Sequence, residues 1–252
     1  MRLVTVGTGT VVPDPDRASA CHWVEHDDTQ VVVDCGAGAL QGLARAGLSW
    51  GSVGHLVISH FHADHIGEIP SLIFALRHGL EVPRSAPLEL WGPPGTQQLF
   101  EAWAVALGSW LVQPGFDVVI HELEPGTGAA IGSLHVSAAE TPHTPESLAF
   151  RIAAAGSVLG YTGDTGPSEA LAEFFRGADL LLSECSLPED LVAENHLSPT
   201  SLARMAMGAG VERLLVTHVY PQLRRLDIHA LIAGAGFSGE IIMAHDGLEL
   251  EI

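Results

Sequence analysis

The sequence contains no lysine; all eleven of its basic residues are arginines, set against 30 aspartates and glutamates. The resulting net charge of -19 leaves no strongly basic segment. A long phosphate backbone would therefore meet repulsion, and simple electrostatics point to small substrates and away from large nucleic acids. Cysteine is also scarce. Cys21, Cys35 and Cys185 are odd in number and show no paired spacing, which argues against a disulfide framework and fits a reducing compartment. No stretch approaches the roughly 18 uninterrupted apolar residues of a membrane span. The opening MRLVTVGTGTVVPDP has a short alternating apolar run in place of a signal peptide's hydrophobic segment. The expected location is cytoplasmic, with no membrane partner.

What is present suits a globular core, with 47% hydrophobic and 16% charged residues. Short apolar strands are expected at Leu3–Val6, Val31–Val33, Leu56–Ser59 and Leu88–Trp91. In the second half they are expected at Val118–Leu123, Ser133–Ala138, Leu148–Ala153, Ser157–Tyr161, Leu180–Ser183, Arg213–Thr217 and Ile241–Ala244. Helical spacing marks Ala39–Ala46, Asp64–His78, Thr96–Trp110, Ser168–Phe175 and Pro199–Met207. No linker or low-complexity segment divides them. The expected organisation is one α/β domain over residues 1–252, built from two similar sheet-and-helix halves. Phe100, Trp103, Ala104, Leu107 and Leu111 form an apolar stripe that reads as core, as a subunit contact or as a substrate-pocket wall, so a homodimer stays open.

The chemistry is concentrated in His60-Phe61-His62-Ala63-Asp64-His65, at the end of an apolar strand. Four ligating side chains in six residues, in a loop that turns alternate residues inward, suit a metal centre. His60 and His62 can converge on one ion while Asp64 and His65 face a second. Later candidates occupy equivalent places after strands: His143 after Pro142, Asp164 after Gly163, and His218 after Thr217. Together they make a nitrogen and carboxylate ligand set for two divalent ions, best suited to zinc, with iron or manganese as alternatives. Cys185 reads as a buried structural thiol, and Glu184 as a residue that orients a histidine or serves the fold. Arg224 and Arg225 read as surface residues or as anion holders. His22, His26, His55, His78, His121, His135, His229 and His245 have no partner motif.

These motifs resemble the metallo-β-lactamase superfamily, and within it the ribonuclease Z-like branch, over almost the whole chain. The matching pieces are Gly7-Thr8-Gly9, Asp34-Cys35-Gly36-x-Gly38, His60 to His65, Gly92-Pro93-x-Gly95, Pro142-His143, Gly163-Asp164-Thr165, Asn195-His196-Leu197-Ser198, Thr217-His218 and Asp246-Gly247. The resemblance implies a four-layered αββα sandwich. It implies that His60, His62 and His143 hold one metal, that Asp64, His65 and His218 hold the other, and that Asp164 bridges them. His196 is implied to lie outside the ligand set and to assist at the phosphate or leaving group. A metal-bridged hydroxide is the expected nucleophile, with Asp64 orienting it.

One departure bears on substrate. Ribonuclease Z carries a long arm that grips transfer RNA between the positions matching His143 and Asp164, whereas only 21 positions separate them here. The expected activity is therefore a phosphodiesterase for small or cyclic phosphodiesters. The alternatives are a lactone, thioester or sulfate ester hydrolase, a non-catalytic binding module, and a transfer RNA 3′-processing endonuclease.

Overall fold

The structure, a computed structural model, describes residues Met1–Ile252. The first half contains β1 (Arg2–Gly7), β2 (Cys21–His26), β3 (Thr29–Val33), α1 (Ala39–Arg45), β4 (His55–Val57), α2 (Ala63–Ile66), α3 (Ile69–His78), β5 (Leu88–Gly92), α4 (Thr96–Leu107) and β6 (Val118–Glu122). The second continues with β7 (Gly128–Ile131), β8 (Leu134–Glu140), β9 (Leu148–Ala154), β10 (Ser157–Tyr161), α5 (Glu169–Phe174), β11 (Leu180–Glu184), α6 (Pro199–Ala209), β12 (Arg213–Thr217), α7 (Pro221–Arg224), α8 (Ile228–Gly234) and β13 (Glu240–Met243). A last strand, β14 (Leu248–Glu251), returns to the first sheet.

Two seven-stranded sheets result, in the orders β14-β1-β2-β3-β4-β5-β6 and β13-β12-β11-β10-β9-β8-β7. In the first sheet the ladders from β14 to β3 are antiparallel and those from β3 to β6 parallel. The second repeats this, antiparallel from β7 to β10 and parallel from β10 to β13. The two halves expected from the sequence are thus alike in topology, and β14 completes the first by crossing back.

Strand periodicity explains the layers. Side chains alternate between sheet faces, so a strand buried on both sides is apolar throughout. In β3, Val31 and Val33 point into the core between the sheets, while Val32 meets the helices outside. In β11, Leu180 and Leu182 face inward and Leu181 outward. Three cores follow. One lies between α1, α3, α4 and the first sheet, one between the sheets, and one between the second sheet and α5, α6, α8. This is the four-layered αββα sandwich.

The structure differs from the expected elements in several places. The expected helix Asp64–His78 is broken into α2 and α3, because Pro70 lies in the first turn of α3. Proline has no N–H to donate and its ring crowds the carbonyl four residues back, so it starts a helix and does not continue one. The helix expected to reach Trp110 ends at Leu107, where Gly108 takes φ 112°. Strands β2, β7 and β14 are not in the expected set. β2 carries the polar pattern Cys-His-Trp-Val-Glu-His, and its pairing on both edges decides its state. The apolar stripe divides: Phe100 and Leu111 are core, whereas Leu107 is exposed. No helix is long and apolar enough to cross a membrane.

Candidate metal centre

Every proposed ligand sits just beyond the carboxyl end of a strand or on the short helix that follows, at one rim of the sandwich. His60 and His62 follow β4, and Asp64 and His65 lie on α2. His143 follows β8, Asp164 follows β10, and His218 follows β12. In sheets with parallel strands this rim is where binding loops collect. Gly36 lets the chain close there. A Cβ on it would lie 2.0 Å from the carbonyl oxygen of Asp64, so only glycine admits the approach of the β3–α1 loop to α2. His218 and Asp34 are held at φ 52° and 57°, a left-handed conformation uncommon for non-glycine residues and favoured where a site over-determines its geometry.

The structure brings all seven expected ligands together. His60, His62, His143 and Asp164 place one ligating atom each within 4.8 Å of one another, and Asp64, His65 and His218 form a second such group. Asp164 stands between them. Its Oδ2 lies 3.9 Å from His60 Nε2 and 3.7 Å from His143 Nε2, while its Oδ1 lies 3.4 Å from His65 Nε2 and 3.6 Å from His218 Nδ1. His218 Nε2 is 3.3 Å from Asp64 Oδ2. Buried polar atoms are ordinarily hydrogen-bonded. His60 Nε2, His65 Nε2 and Asp164 Oδ1 are buried and have no hydrogen-bond partner. Orphaned donors of this kind, converging from imidazoles and carboxylates, fit divalent metal ions.

The supporting residues set the rings. Asp34 accepts from Ser59 N–H at 2.8 Å and from the Tyr161 hydroxyl at 2.6 Å. It also lies 2.7 Å from His65 Nδ1, which leaves Nε2 of that ring for the centre. His143 Nδ1 is 3.0 Å from the Asn195 carbonyl, with the same consequence. Glu184 accepts from Thr165 N–H and lies 2.9 Å from His196 Nδ1. His196 stands outside these two groups, but with Glu184 and Asp164 it forms a third cluster whose polar atoms also lie within 4.8 Å of one another. Ser59, Asp34, Tyr161 and Asn195 escaped assignment from the sequence. For Asp34 a signal existed, because it ends a strand as Asp164 and His218 do.

Electrostatics follow burial and neighbours. Burial, with His65 beside it, depresses the His60 imidazole well below its ordinary value. Burial would lower His65 too, but Asp164 and Asp34 outweigh it and raise that ring. Burial opposes the charge on Asp164, yet His218 and His65 hold its carboxyl far down. His196 is raised because Glu184 overcomes its desolvation. Cys185 is buried and its thiol pushed up, as a structural cysteine should be. Arg224 pairs with Asp14.

An open cavity of about 300 Å³ lies over the centre, lined by Val11, His62, Ala63, Asp64, His143, Asp164, Asn195, His196 and Tyr220. A larger one, about 580 Å³, lies between α5 and α6, but its polar lining consists of glutamates, arginines and serines with no group of metal-ligating side chains. The chemistry therefore belongs to the smaller cavity.

A family model described as the β-lactamase superfamily domain matches residues 29–219, well over half of the chain. The chain belongs to this superfamily. Within it the chain groups with the ribonuclease Z-like branch of the metallo-β-lactamase hydrolases. A ribonuclease Z from Mycobacterium bovis is 28% identical over 275 residues, covering 100% of this chain and 98% of its own. The metallo-β-lactamase fold protein YhfI from Bacillus subtilis superposes with a TM-score of 0.85 at 23% identity, covering 99% of both chains. Human tRNase Z, short form, gives 0.81 at 21%, over 100% of this chain and 99% of its own.

These relatives correct one expectation. The sequence pointed to small substrates and away from large nucleic acids, from the charge of -19 and the missing arm. Relatives named ribonuclease Z, matched end to end, overturn that exclusion. The physical reason is that net charge is a sum over the whole surface, whereas a substrate phosphate meets the local field. Arg17 and Arg45 line a neighbouring cavity of about 310 Å³ that shares Val11 with the metal pocket.

Proposed function

We propose that this hydrolase is a phosphodiesterase with two divalent metals, and that phosphodiester bonds of RNA are among its substrates. The observation that carries the reading is the pairing of two ligand groups across Asp164, with the His196–Glu184 pair beside that carboxylate. His60, His62, His143 and Asp164 would hold one ion. Asp64, His65, His218 and Asp164 would hold the other. The nitrogen and carboxylate set suits zinc first, then iron or manganese. When bound, such ions supply an activated water and stabilise charge on the phosphoryl oxygens.

The chain's own residues do the rest. Asp64 borders the cavity beside His218 and orients the attacking water. Glu184 fixes the His196 tautomer and favours the protonated ring, so that Nε2 can deliver a proton to the leaving oxygen. The length of full-chain similarity to ribonuclease Z supports RNA as the substrate class.

The test is zinc-reconstituted protein offered a precursor transfer RNA with a 3′ trailer, bis(p-nitrophenyl) phosphate, a lactone and a thioester. Both diesters should be cut. His196→Ala should keep both metals and lose on the order of 10²–10⁴ in rate. Turnover of the lactone or thioester alone would sink the reading. Loss of metal from His196→Ala would make that residue a ligand and undo its assigned role.

A further inference from the structure

The chain has two tyrosines, and they are used differently. Tyr161 is buried, and its hydroxyl donates to Asp34. Tyr220 is half-buried at the metal cavity, two residues beyond His218, and its hydroxyl has no hydrogen-bond partner in the protein. Its backbone is nonetheless held firmly. Its N–H donates to the Ser186 carbonyl at 3.1 Å, and its own carbonyl accepts from Leu223 N–H at 3.0 Å and Arg224 N–H at 3.1 Å. Pro221 starts α7 immediately after it. The ring stands edge-on to two histidines of the site, with centroids 5.8 Å from His218 and 6.4 Å from His196. A fixed main chain and a packed ring therefore hold a tyrosine with an uncommitted hydroxyl at the wall of the metal cavity.

The chemistry around it says what that hydroxyl is for. The carboxylates nearby, Asp64, Asp164 and Glu184, are acceptors, and most of the imidazole nitrogens are turned towards the ligand groups. An anionic substrate needs donors, and the cavity has few: His196 is one, the Asn195 amide a second, and the Tyr220 phenol a third. We propose that the Tyr220 hydroxyl donates a hydrogen bond to a non-bridging oxygen of the substrate's phosphoryl group, on the side of the cavity shared with His196. This rests on the phosphodiesterase reading for its substrate. It adds a substrate-contacting residue that lies outside both ligand groups.

Tyr220→Phe removes the hydroxyl and keeps the ring, so it separates donation from packing. In zinc-loaded protein, kcat/KM for bis(p-nitrophenyl) phosphate should fall about 10- to 100-fold, the scale of one donor to a charged oxygen. The Kd for inorganic phosphate, read by calorimetry, should weaken by about 10-fold or more. Zinc content should stay as in the parent protein. Unchanged phosphate affinity would overturn the proposal, as would a parent protein that binds no phosphate. So would full activity in Tyr220→Phe with loss only in Tyr220→Leu, because the ring alone would then matter. If the parent hydrolyses another ester but no phosphodiester, the functional reading falls separately. The calorimetric comparison with phosphate still decides the role of the hydroxyl.

Discussion

His22 shows how a single side chain can oppose the fold that contains it. It is fully buried on β2, edge-on to Tyr161 at 5.2 Å, and neither ring nitrogen has a hydrogen-bond partner. Burial pushes its pKa down to about 4, only partly countered by Asp34. A histidine kept neutral in the folded state binds fewer protons there than in the unfolded chain between the two pKa values. Stability is therefore unaffected above pH 6.5 and is lost as pH falls towards 4, by about 3 kcal/mol in all. His22→Leu removes both the unsatisfied polar atoms and this titration. Urea midpoints at pH 7.5 and pH 5 should show a variant at least as stable as the parent at the higher pH, with a smaller loss on acidification. A variant markedly less stable at pH 7.5 would mean that the ring has a partner the packing does not reveal.

Among the elements, the four-residue helix α2 depends most on its surroundings. It is too short to be stable alone, since forming a first turn is unfavourable without tertiary support. Its support comes from the β3–α1 loop: Cys35 N–H donates to the His65 carbonyl at 2.6 Å, and Glu68 N–H donates to the Cys35 carbonyl at 3.0 Å. Gly36 permits this contact, because any Cβ there would overlap the Asp64 carbonyl. Gly36→Ala should therefore displace Asp64 and His65 together. We expect a loss of roughly 2–4 kcal/mol in stability, in the range of core overpacking and its attendant strain. Metal content should fall in parallel, measured by mass spectrometry on the purified variant. A variant with full metal content and parental stability would show that the loop can retreat without disturbing α2.

For the whole molecule, the seven ligands come from both halves of the chain, so bound metal ties the two sheets to each other. Any ligand that binds only the folded state stabilises it by mass action, by about 4 kcal/mol at a thousandfold excess over its Kd. Chelation should lower Tm by on the order of 10 °C, and readdition of zinc should restore it. Scanning calorimetry before and after dialysis against EDTA checks this. An unchanged Tm would mean that the ligand groups hold no ion tightly. The charge of -19 acts at this scale too. It describes solubility and long-range repulsion, and it misled as a guide to substrate because it is a sum over the whole surface.

By itself, the sequence determined the parts of this protein that depend on short-range order. Strand alternation and helix spacing are local, so the two sheet-and-helix halves were legible, and so was the histidine cluster, whose members lie within six residues. The ends of helices α3 and α4 follow from Pro70 and Gly108, whose effects are also local. Tertiary structure alone decided the rest. β14 is a strand because it finds its partner at the other end of the chain, with Glu251 opposite Arg2 of β1, and β2 because β1 pairs on one side of it while β3 closes a hairpin on the other. The same holds for Tyr161 and Tyr220. Nothing in their neighbouring residues marks them, and their roles come from distances that exist only once strands remote in sequence share one rim.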